Sequence, residues 1–130
     1  MPTLDSRIRD IVIGDDISIR RTIDRVTSEF PTGATITNAW LTCKANLTDT
    51  DPGLFQKAIT TTDVPGTGQI EDDGTGDVNM VVRFDLLPAN TVAIGTQLRE
   101  FDIQVKTNGG LIYTPERGNI SGVEQVTATS

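Results

Sequence analysis

The chain has 130 residues, 36% of them apolar, and a formal net charge of −7 at pH 7. This length suits one domain with its own core, so we expect a single domain over residues 1–130. The single cysteine, Cys43, excludes an internal disulfide, and the negative charge disfavours nucleic-acid binding because phosphate would be repelled.

Alternation of apolar and polar residues dominates the first part of the chain and predicts half-buried strands. A first strand is predicted over residues 8–13, the Gly14-Asp15-Asp16 turn ends it, and a second strand carries residues 17–23. The turn signal Pro31-Thr32-Gly33 precedes a long strand over residues 36–47. Cys43 is predicted to lie on the core face of this strand as a small buried side chain.

The middle of the chain mixes helix and strand signals. Asp51-Pro52-Gly53 is typical of a helix start and predicts one helical turn over residues 54–58. Strands are predicted at residues 58–62 and around residues 69–71, and the acidic, Gly-rich residues 72–77 are predicted to form a polar loop. Strict alternation then predicts a strand over residues 78–86.

The last part of the chain predicts a hairpin followed by an edge strand. Residues 88–95 form a connection, and residues 101–106 alternate as a strand. Asn108-Gly109-Gly110 permits a tight turn, so residues 111–114 are predicted to return antiparallel beside that strand. After Gly118, an edge strand is predicted to carry Ile120, Val123 and Val126.

Seven or eight short strands separated by turns predict an all-β fold. We expect an antiparallel two-sheet sandwich of immunoglobulin-like topology, with a jelly roll as the alternative. No stretch approaches the ~20 apolar residues of a membrane span, and the first residues lack the apolar core of a signal peptide. We therefore expect no membrane contact and a protein that is retained in a cytoplasm.

The sequence predicts a protein without catalytic residues or cofactors. Histidine is absent, which removes the usual general base and the commonest transition-metal ligand. Asp72, Asp73 and Asp77 would serve a glycosidase only in a groove lined by aromatics, and the six aromatic residues are scattered.

Two alternatives to a docking protein remain open. Residues 49–51 and 71–77 carry oxygen ligands suitable for calcium, but they lack EF-hand spacing, and such carboxylates ordinarily cap local amides. A carbohydrate-binding module would require exposed aromatic platforms, of which the sequence shows no cluster.

Several segments carry a family resemblance through their order along the chain. They are Gly14-Asp15-Asp16 before a strand, residues 31–36, residues 51–57, the Asp-Gly loop before residues 78–86, Leu87-Pro88-Ala89, and residues 101–105 followed by a glycine turn, Gly118 and a terminal Val-Thr. Together they resemble the immunoglobulin-like domain at the N-terminus of phage upper-baseplate proteins and related small virion proteins. Family members usually continue into a fibre or receptor-binding region, which these 130 residues do not include.

The resemblance implies a non-enzymatic structural protein of a tailed-phage virion, located in the tail, neck or baseplate. Capsid decoration, as a cement protein on the head surface, is the alternative location. The implied partners are other virion proteins, with the chain present as a homo-oligomer or in symmetric copies and assembled into the virion in the host cytoplasm.

Docking is expected at strand edges, where unpaired backbone groups meet a neighbour. The candidate docking segments are residues 1–9 and 120–129. The alternative is that both segments only complete the sheets of the sandwich itself. A basic cluster on residues 20–25 would meet an acidic partner, unless it forms a solvated strand face. The predicted interface residues are Leu4, Ile8, Arg20, Arg21, Arg25, Ile120, Val123 and Val126.

Overall fold

The computed structural model describes residues 3–46, 48–51 and 53–125, with the exception of the Asp10 side chain. Within these ranges the chain forms eight strands and one short helix. The strands are β1 (Leu4–Val12), β2 (Ile17–Ile23), β3 (Ile36–Lys44), β4 (Phe55–Ile59), β5 (Gly68–Asp72), β6 (Met80–Leu86), β7 (Arg99–Thr107) and β8 (Ile112–Val123), and the helix is α1 (Pro88–Ile94).

The strands form two packed sheets, which confirms the predicted all-β sandwich. The larger sheet has the order β1-β8-β7-β3-β4, and the smaller has the order β2-β6-β5. Neighbouring strands are antiparallel with one exception, because β1 runs parallel to β8. The prediction of wholly antiparallel pairing is corrected at this pair, which joins the first strand to the last.

The core is built by the alternating residues that the sequence singled out. Each strand turns every second side chain inward, so Met80, Val82, Phe84 and Leu86 of β6 are all buried. Burying one such side chain contributes about 1.5–3 kcal/mol, whereas an exposed ion pair contributes at most about 1 kcal/mol. The core therefore dominates the stability of the fold.

Cys43 is one of the core residues, as predicted. Its side chain is fully buried on β3. Burial disfavours the thiolate and raises the pKa of Cys43 to about 12, with the charge of Arg99 acting weakly in the other direction. The thiol is therefore a packing group rather than a nucleophile at neutral pH.

The predicted helical turn over residues 54–58 is wrong, because residues 55–58 belong to β4. Ala39 pairs with Ile59, and Thr42 pairs with Gln56 across the β3–β4 ladder. Phe55 and Ile59 are buried, so cross-strand pairing and burial outweigh the local helix signal. Pro52, on which that signal partly rested, lies outside the described residues.

Residues 88–94 form the helix α1, where a connection was predicted. Pro88 occupies the first turn, and the Asn90 side chain accepts a hydrogen bond from the Leu87 amide at 2.9 Å. The buried Thr91 hydroxyl accepts a hydrogen bond from the Gly14 amide at 2.9 Å. The helix thereby ties the β1–β2 turn to one end of the sandwich.

The predicted hairpin turn at residues 108–110 is confirmed, but the separate edge strand after it is wrong. A single strand, β8, runs from Ile112 to Val123 and lies between β7 and β1. Gly118 does not interrupt it. A side chain at this position would overlap the carbonyl oxygen of Ser6 on β1, so glycine is required here by the close approach of the neighbouring backbone.

Candidate docking edge

The two lateral sides of the sandwich are closed to different degrees. On the β4/β5 side, the Ile70 amide donates a hydrogen bond to the Thr60 carbonyl at 2.7 Å, and the Gln69 side chain donates to the Thr61 carbonyl at 3.0 Å. On the opposite side, β1 ends one sheet and β2 ends the other, and in the described residues each pairs on one flank only. The β1/β2 side is therefore the open edge of the sandwich.

A groove of about 430 Å³ runs along this open edge. We call it the edge groove, and its lining residues are Arg7, Ile8, Arg9, Ile11, Ile17, Ser18, Ile19, Arg20 and Arg21. The four isoleucines form an apolar floor, in which Ile11 and Ile19 are buried and Ile8 and Ile17 are partly buried. Four arginines surround this floor in a chain of net charge −7.

Arg21 links the two sheets below the groove. It pairs across β2–β6 with the buried Val82, so its side chain points between the sheets. Its Nε lies 3.1 Å from Oε2 of the buried Glu116 on β8, and the Ser6 hydroxyl donates to the same oxygen at 2.6 Å. Loss of Arg21 would leave a buried carboxylate without its cation, so this arginine has a structural role.

Arg20 takes part in a charged network on the outer face of the smaller sheet. Its Nε lies 2.6 Å from Oε1 of Glu71, and the other oxygen of Glu71 lies 3.0 Å from Nη1 of Arg83. Arg83 also contacts Asp63 and Asp85. The charge of Arg20 is compensated within the chain, although 66% of its side chain is exposed.

Arg7 and Arg9 are exposed on β1 and form no ion pair with any described carboxylate. Both lie within the predicted docking segment, residues 1–9, but neither was among the individually predicted interface residues, because the predicted first strand began at Ile8 and the predicted basic cluster lay further along the chain. One signal in the sequence could have found them. The two arginines are two residues apart in an alternating segment, which places both side chains on the same face of one strand.

The other predicted interface residues lie at different places. Leu4 is 63% exposed on β1, on the face that also carries Ile8. Val123 is 47% exposed at the far end of β8, where it pairs with Val12. Ile120 is buried in the core between the sheets, and β1 occupies the edge of β8 beside it, so it is unavailable for docking. Val126 lies outside the described residues.

Arg25 is also corrected, because it is buried rather than part of a docking or solvated surface. Its guanidinium donates to the carbonyl oxygens of Ala34 at 2.8 Å, Pro31 at 3.1 Å and Gly74 at 3.4 Å. It also contacts the Asp77 carboxylate at 3.3 Å. A single side chain thus holds together the loops that follow β2 and β5.

The acidic loop after β5 uses its carboxylates as caps. Asp72 accepts from the Gly74 amide at 3.0 Å, and Asp73 accepts from both the amide and the hydroxyl of Thr75. These bonds from Thr75 lower the pKa of Asp73. Within the described residues no group of three or more potential ligands for a metal ion comes together.

A second concave region lies on the outer face of the larger sheet, with a volume of about 670 Å³. It is polar and of mixed charge, with Asp102, Lys44 and Arg117 among its lining residues. Lys44 is held by Asp51 at 2.8 Å. Desolvation, and to a smaller extent the charge of Asp51, raises the pKa of Asp102, while Lys44 opposes the shift.

The raised pKa of Asp102 leads to a prediction for the pH dependence of stability. The folded state holds the Asp102 proton more tightly than the unfolded chain, so ionisation of Asp102 disfavours folding as pH rises through the folded pKa. Asp102→Asn is expected to raise the thermal midpoint at pH 7 and to change it little near pH 3, where both states are protonated. Thermal denaturation at both pH values tests this, and equal gains at both would contradict it.

No family model and no curated protein matches this chain. No helix in the described part of the chain is both long enough and apolar enough to cross a membrane.

Proposed function

We propose that the chain is a non-enzymatic structural protein of a tailed-phage virion, docked onto other virion proteins in the tail, neck or baseplate. The observation that carries the docking role is the edge groove, where an open sandwich edge combines an apolar floor with the charges of Arg7 and Arg9, which form no ion pair with a described carboxylate. Charged groups placed around apolar surface favour recognition of a complementary protein partner. The tailed-phage context comes from the ordered sequence resemblance.

The strand order supports the immunoglobulin-like part of this proposal. If the eight strands are lettered A, B, C, C′, D, E, F and G in chain order, β2-β6-β5 corresponds to the B-E-D sheet. The strands β8-β7-β3-β4 then correspond to G-F-C-C′, with the first strand added beside G. This order favours the immunoglobulin-like topology over the jelly roll.

The alternatives have less support. A cement protein on the capsid would use the same edge and differs only in its location. For a carbohydrate-binding module, the described residues provide one outward aromatic, Trp40, which lies between Gln104 and Ala58 on the larger sheet. The four phenylalanines are buried, and Tyr113 packs edge-on against Phe30 at 5.0 Å.

Imaging of intact particles tests the virion role. Particles from the source of this gene are purified, and their protein content is determined by mass spectrometry and electron cryomicroscopy. We expect the domain at symmetry-related positions in the tail, neck or baseplate, and absent from particles made after deletion of the gene. Purified particles that lack the chain at every site would overturn the proposal, and density on the head surface would assign it to capsid decoration.

A further inference from the structure

We propose that the edge groove binds an acidic, extended segment of a different protein, which adds as a strand to the free edge of β1. This inference rests on the proposed docking function and specifies the class of partner and the mode of binding. Three features of the groove carry it: the backbone of β1, the apolar floor, and the charge around that floor.

The backbone of β1 offers a regular edge of suitable length. Residues from Leu4 to Ile8 pair with β8 in continuous register, and a register shift between Ile8 and Ile11 ends the regular ladder. A parallel ladder uses alternate residues of a strand, so the remaining amides and carbonyls point to the free side. Five residues span about 17 Å, which is an ordinary strand length.

The apolar floor would receive alternate side chains of the added strand. Ile8 on β1 and Ile17 on β2 are partly buried and pack against the core. An added strand turns every second side chain to one face. If the side chains of the added strand that face the floor are apolar, they would complete the burial of both isoleucines. Other strand-addition sites likewise receive alternate side chains of the added strand in pockets.

The charge around the floor selects an acidic partner. Arg7 and Arg9 lack carboxylate partners among the described residues, and Arg20 remains largely exposed. Pairing of β1 with β1 of a second copy would bring these like charges together, which is unfavourable. The arginine charges and the register shift after Ile8 thus act against pairing of β1 with any strand that arrives. An acidic strand is the occupant that would remove the repulsion between the arginines.

Nuclear magnetic resonance with synthetic peptides tests the inference. The probe is a six-residue capped peptide of alternating glutamate and valine, titrated into the ¹⁵N-labelled full chain at low salt. We expect shift changes confined to residues 4–9 and 17–21, and an affinity that falls as salt is added. The double variant Arg7→Glu with Arg9→Glu is expected to bind this peptide on the order of 10-fold more weakly.

Three controls separate strand addition from simple charge attraction. A lysine–valine peptide is expected to bind the native chain at least about 10-fold more weakly, because its charge is reversed. A glutamate–valine peptide with N-methylated alternate amides is expected to bind weakly, because it lacks the donors for the β1 edge. The variant Lys57→Glu with Lys106→Glu makes the same charge change on β4 and β7, away from β1, and is expected to bind normally.

Several results would overturn the inference. They are equal binding of the N-methylated peptide, shift changes outside residues 4–9 and 17–21, no binding at millimolar peptide, groove-dependent dimers of the chain alone, and preferential binding of duplex DNA. Each of these results leaves particle imaging free to find the chain in a virion, so failure of the binding mode and failure of the proposed function are distinguishable.

Discussion

Replacement of Arg25 by methionine is expected to destabilise the domain by about 3 kcal/mol, because three carbonyl oxygens lose a charged donor. Those of Ala34 and Pro31 lie 2.8 and 3.1 Å from the guanidinium. Methionine keeps most of the apolar stem and donates no hydrogen bond, so the loss isolates the polar contacts. Urea denaturation at pH 7 measures the change in the free energy of unfolding.

Two further variants make the Arg25 result specific. Arg25→Lys keeps the charge but cannot spread its donors as a planar fork does, so it is expected to recover only part of the loss. Arg117→Met removes an arginine that is 64% exposed and is expected to change stability by less than about 0.5 kcal/mol. Equal effects of Arg25→Met and Arg117→Met would contradict the role of Arg25 in holding together the loops that follow β2 and β5.

Gly118→Ala is expected to have an effect of similar size, about 3 kcal/mol, because the added methyl group would overlap the Ser6 carbonyl on β1. The neighbouring strand must move away, which breaks the ladder that holds β1. Hydrogen exchange is expected to show loss of protection over Leu4–Val12, together with a lower denaturation midpoint.

Gly109→Ala is the matched control for this substitution. Gly109 lies in the β7–β8 turn, where the nearest atom to an added methyl group is 3.8 Å away. We expect a change below about 0.5 kcal/mol and unchanged protection of β1. Full protection of β1 in Gly118→Ala would show that the two backbones are not in close contact at this position.

The sandwich was predictable from the sequence because alternation marks which face of each strand is buried. The errors arose where long-range pairing decides the structure. The start signal at residues 51–53 favours a helix locally, but β3 offers residues 55–59 a ladder. Likewise, Gly118 is typical of a strand break until β1 is known to lie beside it.

The docking edge was only partly predictable for the same reason. Ile8, Arg20 and Arg21 were selected and do line one groove. Arg7 and Arg9 lie in the predicted docking segment, residues 1–9, but were not predicted as interface residues by number, since only the topology shows that β1 and β2 end adjacent sheets. The burial of Arg25 depends on carbonyls of distant loops, such as that of Gly74, and no local pattern in the sequence reports it.

The parallel pairing of β1 with β8 also determines the order in which parts of the fold can form. Ser6 and Glu116 are bonded across 110 residues of chain. During synthesis β1 emerges before the other described strands, yet β8, its partner strand within the described ranges, emerges after them. Contacts of such large sequence separation form slowly, so the edge groove takes shape among the final steps of folding. A nascent or truncated chain that lacks β8 therefore cannot present this surface to a neighbour prematurely.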